Sequence, residues 1–382
     1  MSWNESAAAQ THPMIAVPSH DELVEQLFVR DLKLHVMQVI EPAQRAIAGQ
    51  ILADAGARSS NNPLDNMREG MAPLESFKSW IGVKRESQRQ LWAAVGTSVE
   101  RQADQLEQLG QVADPLGSVT LDPDFVVPDY IAHGDIHLMP GGNGFDDGSI
   151  LQGAVMDRGG AVYMLGRNGG MLNDLRGQTA MAHLLTIAPD IEPLRILDMG
   201  CGIGTSTVPA AMAFPEAEVH GIDVGASILR YAHARAEHLG ARVHFSQASA
   251  EHTNFPDGHF DVVFSCVVLH ETSETAMLNV LAESKRLLRP GGIAIHLEVP
   301  LIHTMGDHWE EFSSELEAQF NNEPNWRGAL TADYECVMQG LGFTDIKVGY
   351  QTTANDARTS AKVFKENSDG VFRSWFVVSG RA

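Results

Sequence analysis

The 382-residue sequence predicts an α/β protein, with a doubly wound, mainly parallel sheet in residues 178–382 and a mainly helical region before it. Three observations predict this. From about Gln178 onward, short apolar runs alternate with helical stretches. A glycine-rich turn follows the first of those runs, where a strand gives way to a helix. Residues 21–55 and 74–109 carry apolar side chains at helical spacing instead of in alternation.

Taken in order, residues 1–18 carry Asn, Gln, Ser, Pro and a run of Ala and are expected to be poorly ordered. Asp21–Ala55 reads as helix, with Leu23, Leu27, Val29, Leu32, Leu34, Val36 and Ile40 on a broad apolar face that Pro42 interrupts. Residues 57–73 read as a loop. Leu74–Leu109 reads as a second helical stretch, with Lys84, Arg85, Glu86, Gln88, Arg89 and Gln90 on a solvated face. These elements make a region 1–118. Residues 119–177 hold three prolines and many glycines, so short strands at Ile136–Leu138 and Ala161–Leu165 are expected there instead of helices, in a cap or substrate-facing segment. Beyond it the expected strands are Arg195–Met199, Glu218–Ile222, Val243–Gln247, Asp261–Ser265, Ile293–Glu298, Phe343–Gly349 and Ser374–Gly380. Helices at Thr179–Ala188, Ala226–Leu239 and Ser273–Leu288 alternate with them.

Composition narrows the function classes. Twenty-seven basic against 49 acidic residues give a net charge of −22, which argues against nucleic acid as partner, since phosphate backbones are met by basic surfaces. No run of about 18 apolar residues reads as a membrane span. The start of the sequence lacks the basic-then-apolar order of a secretory signal, so a cytoplasmic protein is expected. Three cysteines, Cys201, Cys266 and Cys336, are too scattered for a disulfide framework.

The strongest local signal is Leu197-Asp198-Met199-Gly200-Cys201-Gly202-Ile203-Gly204-Thr205. Glycines at a strand-to-helix turn let a ligand approach the main chain and the helix N–H groups. A dinucleotide turn asks for Gly-x-Gly-x-x-Gly, but the third slot here is Thr205. Asp198 adds a carboxylate that repels a pyrophosphate and suits a ligand with an amino group. This segment resembles that of the class I S-adenosylmethionine-dependent methyltransferases. Val219-His220-Gly221-Ile222-Asp223, Gln247-Ala248-Ser249-Ala250-Glu251 and Leu287-Leu288-Arg289-Pro290-Gly291-Gly292 follow in the family's order.

The resemblance implies a Rossmann-like, seven-stranded methyltransferase sheet over residues 178–382 and S-adenosyl-L-methionine as cofactor, with S-adenosyl-L-homocysteine as product. By the same resemblance Asp198 acts on the cofactor's amino group, directly or through water, and Gly200, Cys201, Gly202 and Gly204 lie against it. Asp223, with Val224 beside it, takes the ribose hydroxyls. Ser249 stands where the family often has Asp, so the adenine contact falls to its hydroxyl or to the backbone around Ala250. Cys266 is expected as a small lining residue. The motif that base-methylating relatives carry after the fourth strand is replaced by Ser265-Cys266-Val267-Val268.

Methyl transfer from a sulfonium needs alignment in a dry pocket more than it needs a base. His270 is the candidate catalytic residue, as base or hydrogen-bond donor, against a structural role beside the cofactor loop. Tyr130, His133, His137, Tyr163, Glu298 and His303 are candidate acceptor contacts. His133, Asp135 and His137 alternate as on one strand face, but three ligands on one short strand rarely converge, and no metal is expected. The expected activity is methyl transfer to a small-molecule acceptor, with the N-terminal region closing the pocket and offering helices for a homodimer. Two alternatives are a catalytically silent cofactor-binding scaffold and a nicotinamide-dependent oxidoreductase.

Overall fold

Strand order, more than any single contact, positions the site. The computed structural model describes residues 11–55, 62–132, 134–299, 308–370 and 372–382. Its strands are β1 (Ser118–Thr120), β2 (Arg195–Met199), β3 (Glu218–Asp223), β4 (His244–Gln247), β5 (Phe260–Cys266), β6 (Leu288–Glu298), β7 (Thr344–Thr352), β8 (Phe364–Lys365) and β9 (Ser374–Arg381). They form one sheet in the order β1-β4-β3-β2-β5-β6-β9-β7-β8. Strands β1 to β6 pair in parallel, and β9 runs antiparallel between β6 and β7. Seven of these strands match the expected set. The short β1 and β8 bring the sheet to nine among the described residues. Gly117 admits β1 to the edge, since a Cβ there would lie 1.9 Å from the Val243 carbonyl oxygen.

The central strands are buried on both faces because their residues are almost uniformly apolar. Ile196, Val262, Phe264 and Ile293 pack to one side with the helices Leu175–Ile187 and Ala226–His238, while Leu197, Val263 and Ala294 pack to the other with Glu274–Leu287. The chain leaves β2 for β3 and β4, then returns to β5 on the other side of β2. That reversal opens a crevice at the carboxyl ends of β2 and β5, where open α/β sheets bind ligands.

The N-terminal half departs from expectation in several places. The segment read as poorly ordered is described from residue 11 on, and it is a buried strap. Met14 and Ala16 are fully covered, His12 Nε2 lies 3.0 Å from Asp157 Oδ2, and the Tyr231 hydroxyl lies 2.9 Å from the Met14 carbonyl oxygen. Residues 1–10 of that expectation lie outside the described residues. Pro42 does not break the first helical stretch. A π turn, Val36–Ile40, joins His20–His35 to Glu41–Ala55 and takes up the mismatch that a missing N–H creates.

The broad apolar face of that stretch is only partly covered. Of that face Val29 and Val36 are buried and Leu23 is 37% exposed, and the polar Glu22 and Gln26 face inward instead. Polar side chains win the inner face because each finds a buried partner, as Glu22 does with Ser98 and Gln26 with Arg158. Residues 63–71, expected as loop, form the helix Pro63–Met71 with Asn62 as its cap; residues 57–61 lie outside the described residues. Of the face expected to be solvated, Gln88 is buried, and its amide nitrogen donates to the His137 carbonyl at 2.8 Å.

The glycine-rich segment holds a 13-residue helix, Leu151–Tyr163, where strands were expected, and Ile136–Leu138 is a 3-10 turn. Its glycines serve packing. A Cβ on Gly153 would meet Tyr231 at 2.2 Å, and one on Gly159 would meet Trp92 at 2.1 Å. The glycines let this helix lie directly on Glu75–Arg101 and Ala226–His238, which outweighs their poor helix propensity. Gly159→Ala is therefore expected to destabilise the protein by about 1–3 kcal/mol through overpacking, read as a lower midpoint in urea unfolding.

Candidate active site

The crevice is a cavity of about 230 Å³. Its floor is the turn after β2. Gly200, Gly202 and Gly204 all have positive φ (72°, 51° and 79°), which only glycine adopts cheaply. The Gly200 and Cys201 amides donate to the Ile222 carbonyl at 2.8 and 2.9 Å, pinning the turn to β3. A Cβ on Gly202 would have nothing nearer than Met156 Sδ at 3.8 Å, so the missing side chain leaves room inside the cavity.

Two acids brace this floor. Asp223, at the end of β3, lines the cavity and accepts from the Gly202 amide through Oδ2 (2.8 Å) and the Gly225 amide through Oδ1 (3.0 Å). Burial raises its pKa, opposed by those two amides. Asp198 is fully buried and does not line the cavity. Its Oδ2 accepts from the hydroxyls of Ser206 (2.6 Å) and Thr207 (2.7 Å), while Oδ1 has no partner among the described residues. Burial pushes its pKa up to about 7 despite those bonds. Asp198 thus shapes the turn, and Ser206 is the group that it presents to the cavity.

Of the other residues expected around a cofactor, Cys201, Val224, Ala250 and Cys266 line the cavity. Gly204 does not line it; it lies against Phe245 beneath the turn. Ser249 does not line it either. Its hydroxyl accepts from the Glu251 amide, and its neighbours Ala248 and Ala250 form the wall. Burial holds both thiols, Cys201 and Cys266, well above the usual range, so they are neutral lining groups.

The far end of the cavity is formed by the N-terminal half. Trp92, Ile131, Ile136, Met139, Met156, Tyr163 and Met164 make a largely apolar wall, with Tyr130 beside the ends of β3 and β4. The Tyr130 hydroxyl donates to Glu251 at 2.9 Å. His137 lies here in a left-handed backbone conformation (φ 55°), its carbonyl held by the Trp92 indole N–H at 2.7 Å as well as by Gln88. Its ring sits between two carboxylates, Nε2 3.2 Å from Glu271 Oε1 and Nδ1 2.9 Å from Glu323 Oε1. Burial opposes its charge, but Tyr163, Glu323 and Glu271 together hold its pKa well above the ordinary value. His137 and Asp135 do not share a strand face. Asp135 is exposed and accepts from the Gly141 amide.

His270 does not face the cavity. It is buried and absent from the cavity wall, with Nδ1 2.8 Å from Glu298 Oε2 and Nε2 3.5 Å from Glu271 Oε1. Glu298 is neither an acceptor contact nor a solvated charge. It is fully buried at the end of β6 and also accepts from the Leu269 amide at 2.7 Å. His270 links Glu298 to Glu271, which does line the cavity. His133 and His303 lie outside the described residues. Among the described residues no cluster of His, Cys, Asp and Glu is arranged to hold a metal, and no helix is long and apolar enough to cross a membrane.

Sequence reasoning missed Glu271, Glu323 and Arg176. Glu271 adjoins His270 in the same segment, and its position was the available clue. Glu323 belongs to a helical insertion between β6 and β7, the helices His308–Phe320, Trp326–Thr331 and Tyr334–Gly340. Arg176 stands at the start of the helix before β2 and lines the cavity, with no hydrogen bond or ion pair to any described residue. Burial lowers the pKa of this half-buried guanidinium, opposed in part by the Glu298 and Glu271 carboxylates.

Comparison with known proteins bears on the crevice directly. Residues 196–292 match the family model described as a methyltransferase domain. The chain is 31% identical over 172 residues to a trans-aconitate 2-methyltransferase of Deinococcus radiodurans, covering 43% of this chain and 63% of that protein. It is 35% identical over 114 residues to a demethylmenaquinone methyltransferase of Thermus thermophilus, covering 30% and 51%. Among solved structures it resembles a phosphoethanolamine N-methyltransferase of Haemonchus contortus in complex with S-adenosyl-L-methionine. That match has 25% identity and a TM-score of 0.38, covering 50% of this chain and 41% of the other. The chain thus spans about half to two thirds of the length of these two curated relatives.

Two buried carboxylates around one imidazole make stability depend on pH. Burial disfavours the His270 cation, but Glu298 and Glu271 outweigh it and raise the pKa from 6.5 to about 10. A raised pKa means that this stabilisation is complete below about pH 6.5 and is lost as pH rises toward 10. Denaturant titrations across that range are expected to show a fall of about 3–5 kcal/mol, and His270→Gln is expected to flatten the slope while lowering stability at neutral pH.

Proposed function

Residues 196–292 are a class I S-adenosylmethionine-dependent methyltransferase domain, and from that premise we propose that the whole chain transfers a methyl group to a small-molecule acceptor held under its N-terminal half. The observation that carries this reading is one continuous cavity. It joins the glycine floor and Asp223 at one end to an apolar chamber with His137, Tyr163 and Glu271 at the other.

The residues present suit the cofactor. Asp223 is a carboxylate at the cavity wall for a ribose diol. Gly202 leaves space where a side chain would intrude. Arg176 supplies a cavity-lining cation, with no hydrogen bond or ion pair among the described residues, for the amino acid carboxylate, and Asp198 Oδ1 is a buried acceptor without a partner among the described residues, behind Ser206 on the same side. Bound there, S-adenosylmethionine supplies an electrophilic methyl on a sulfonium whose leaving group departs neutral. The chain's own part is to fix the donor's orientation through the β2 and β3 ends and to exclude water with Trp92, Met139, Met156 and Tyr163. A nicotinamide reading meets Asp198 and Thr205 at the turn, where a pyrophosphate finds a buried acid and no third glycine. The relatives' acceptors differ among themselves, so they do not select one for this chain.

Two tests follow. Label transfer from S-adenosylmethionine carrying a radioactive methyl to a small-molecule extract separates an enzyme from a silent scaffold; incorporation is expected, and binding without incorporation contradicts the proposal. Asp223→Ala is expected to weaken S-adenosylhomocysteine binding by about 1–3 kcal/mol in calorimetry. Arg176→Ala is expected to weaken S-adenosylhomocysteine binding but not 5′-methylthioadenosine binding, because the smaller ligand lacks the carboxylate. Equal losses for both ligands would place Arg176 elsewhere.

A further inference from the structure

Glu271 is held in an unusual way for a cavity-lining acid. Its Oε1 lies between two imidazoles, 3.2 Å from His137 Nε2 and 3.5 Å from His270 Nε2. Each imidazole is pinned from behind by a second carboxylate, His137 by Glu323 at 2.9 Å and His270 by Glu298 at 2.8 Å. The Glu271 backbone carbonyl accepts from Asn325 at 3.0 Å. These contacts fix the residue but leave Oε2 without a partner among the described residues, and Glu271 lines the cavity. An ionised oxygen fixed at a cavity wall asks its ligand for a hydrogen-bond donor. It repels a ligand that brings a second carboxylate to the same point.

We propose that the acceptor is an apolar small molecule whose nucleophilic atom carries a proton, a hydroxyl or an amine, and that Glu271 Oε2 accepts the hydrogen bond from that atom. The proposal rests on the methyl-transfer reading and selects the acceptor class within it. The chamber around Glu271, with Trp92, Ile136, Met139, Met156 and Met164, suits an apolar body. In the transfer, a lone pair on the acceptor oxygen or nitrogen forms the bond to the methyl carbon as the carbon–sulfur bond breaks, and that bond's electrons stay on sulfur. An oxygen acceptor then gives its proton to Glu271 Oε2 and leaves as a neutral ether, the proton passing to solvent on release. A nitrogen acceptor leaves as an ammonium paired with the same oxygen. Cys266, a neutral thiol, offers no competing base.

The test uses the full chain loaded with S-adenosylhomocysteine and three probes of one shape, phenol, benzylamine and benzoate. In ligand-observed NMR or calorimetry, phenol and benzylamine are expected to bind at least about tenfold tighter than benzoate, the gap expected of one charge-assisted hydrogen bond. Glu271→Gln is expected to weaken benzylamine about tenfold or more while S-adenosylhomocysteine affinity holds. Tightest binding by benzoate overturns the proposal, as does unchanged benzylamine binding in the variant, or failure of all three probes to bind the loaded protein. If Glu271→Gln does not fold, the ranking in the native chain decides by itself. Failure of S-adenosylhomocysteine to bind the native chain overturns this proposal and the methyl-transfer reading together.

Discussion

The grip of one carboxylate on two backbone amides underlies the site. Asp223 holds Gly202 on one side and Gly225 on the other, tying the turn after β2 to the turn after β3. With the Ile222 carbonyl it keeps Gly200 and Gly202 in left-handed conformations that would otherwise relax into many others. The same side chain stays at the cavity wall, available to a ligand. A residue that both builds a site and lines it makes binding sensitive to any change there, because geometry and contact are lost together.

A second layer of charge shapes the opposite end. Glu298, His270, Glu271, His137 and Glu323 alternate acid and imidazole from the end of β6 to the insertion beyond it. Burying such charges is costly unless each is paired, and here each imidazole lies between two acids. The chain of pairs joins four separate parts of the sequence: the end of β6, the segment after β5, the loop before Leu151–Tyr163, and the helical insertion before β7. These pairs tie the segments together by charge, while the N-terminal strap packs Met14 and Ala16 against the helices.

How much was legible in the sequence follows from what each signal measures. Buried parallel strands announce themselves as apolar runs, so β2, β3, β5 and β9 stand within a residue or two of where the pattern places them. The glycine turn and Asp223 are local and are legible for the same reason. What was not legible depends on contacts between distant segments. Gly153 and Gly159 read as helix breakers until Tyr231 and Trp92 are seen lying against them. His270 reads as a base until Glu298 and Glu271 are seen to occupy both its nitrogens. Glu323 carries no spacing that ties it to His137, 186 positions away by their numbers. Composition separates none of these cases, because the deciding quantity is which partner neutralises a buried charge.

The measurement that bears most directly on the account is a calorimetric titration of the full chain with S-adenosylhomocysteine and, separately, with NAD. The account predicts tight one-site binding of the first and no heat from the second, because the floor fits an amino acid and a ribose and has no third glycine for a pyrophosphate. Binding of NAD with none of S-adenosylhomocysteine would contradict it at the glycine turn itself.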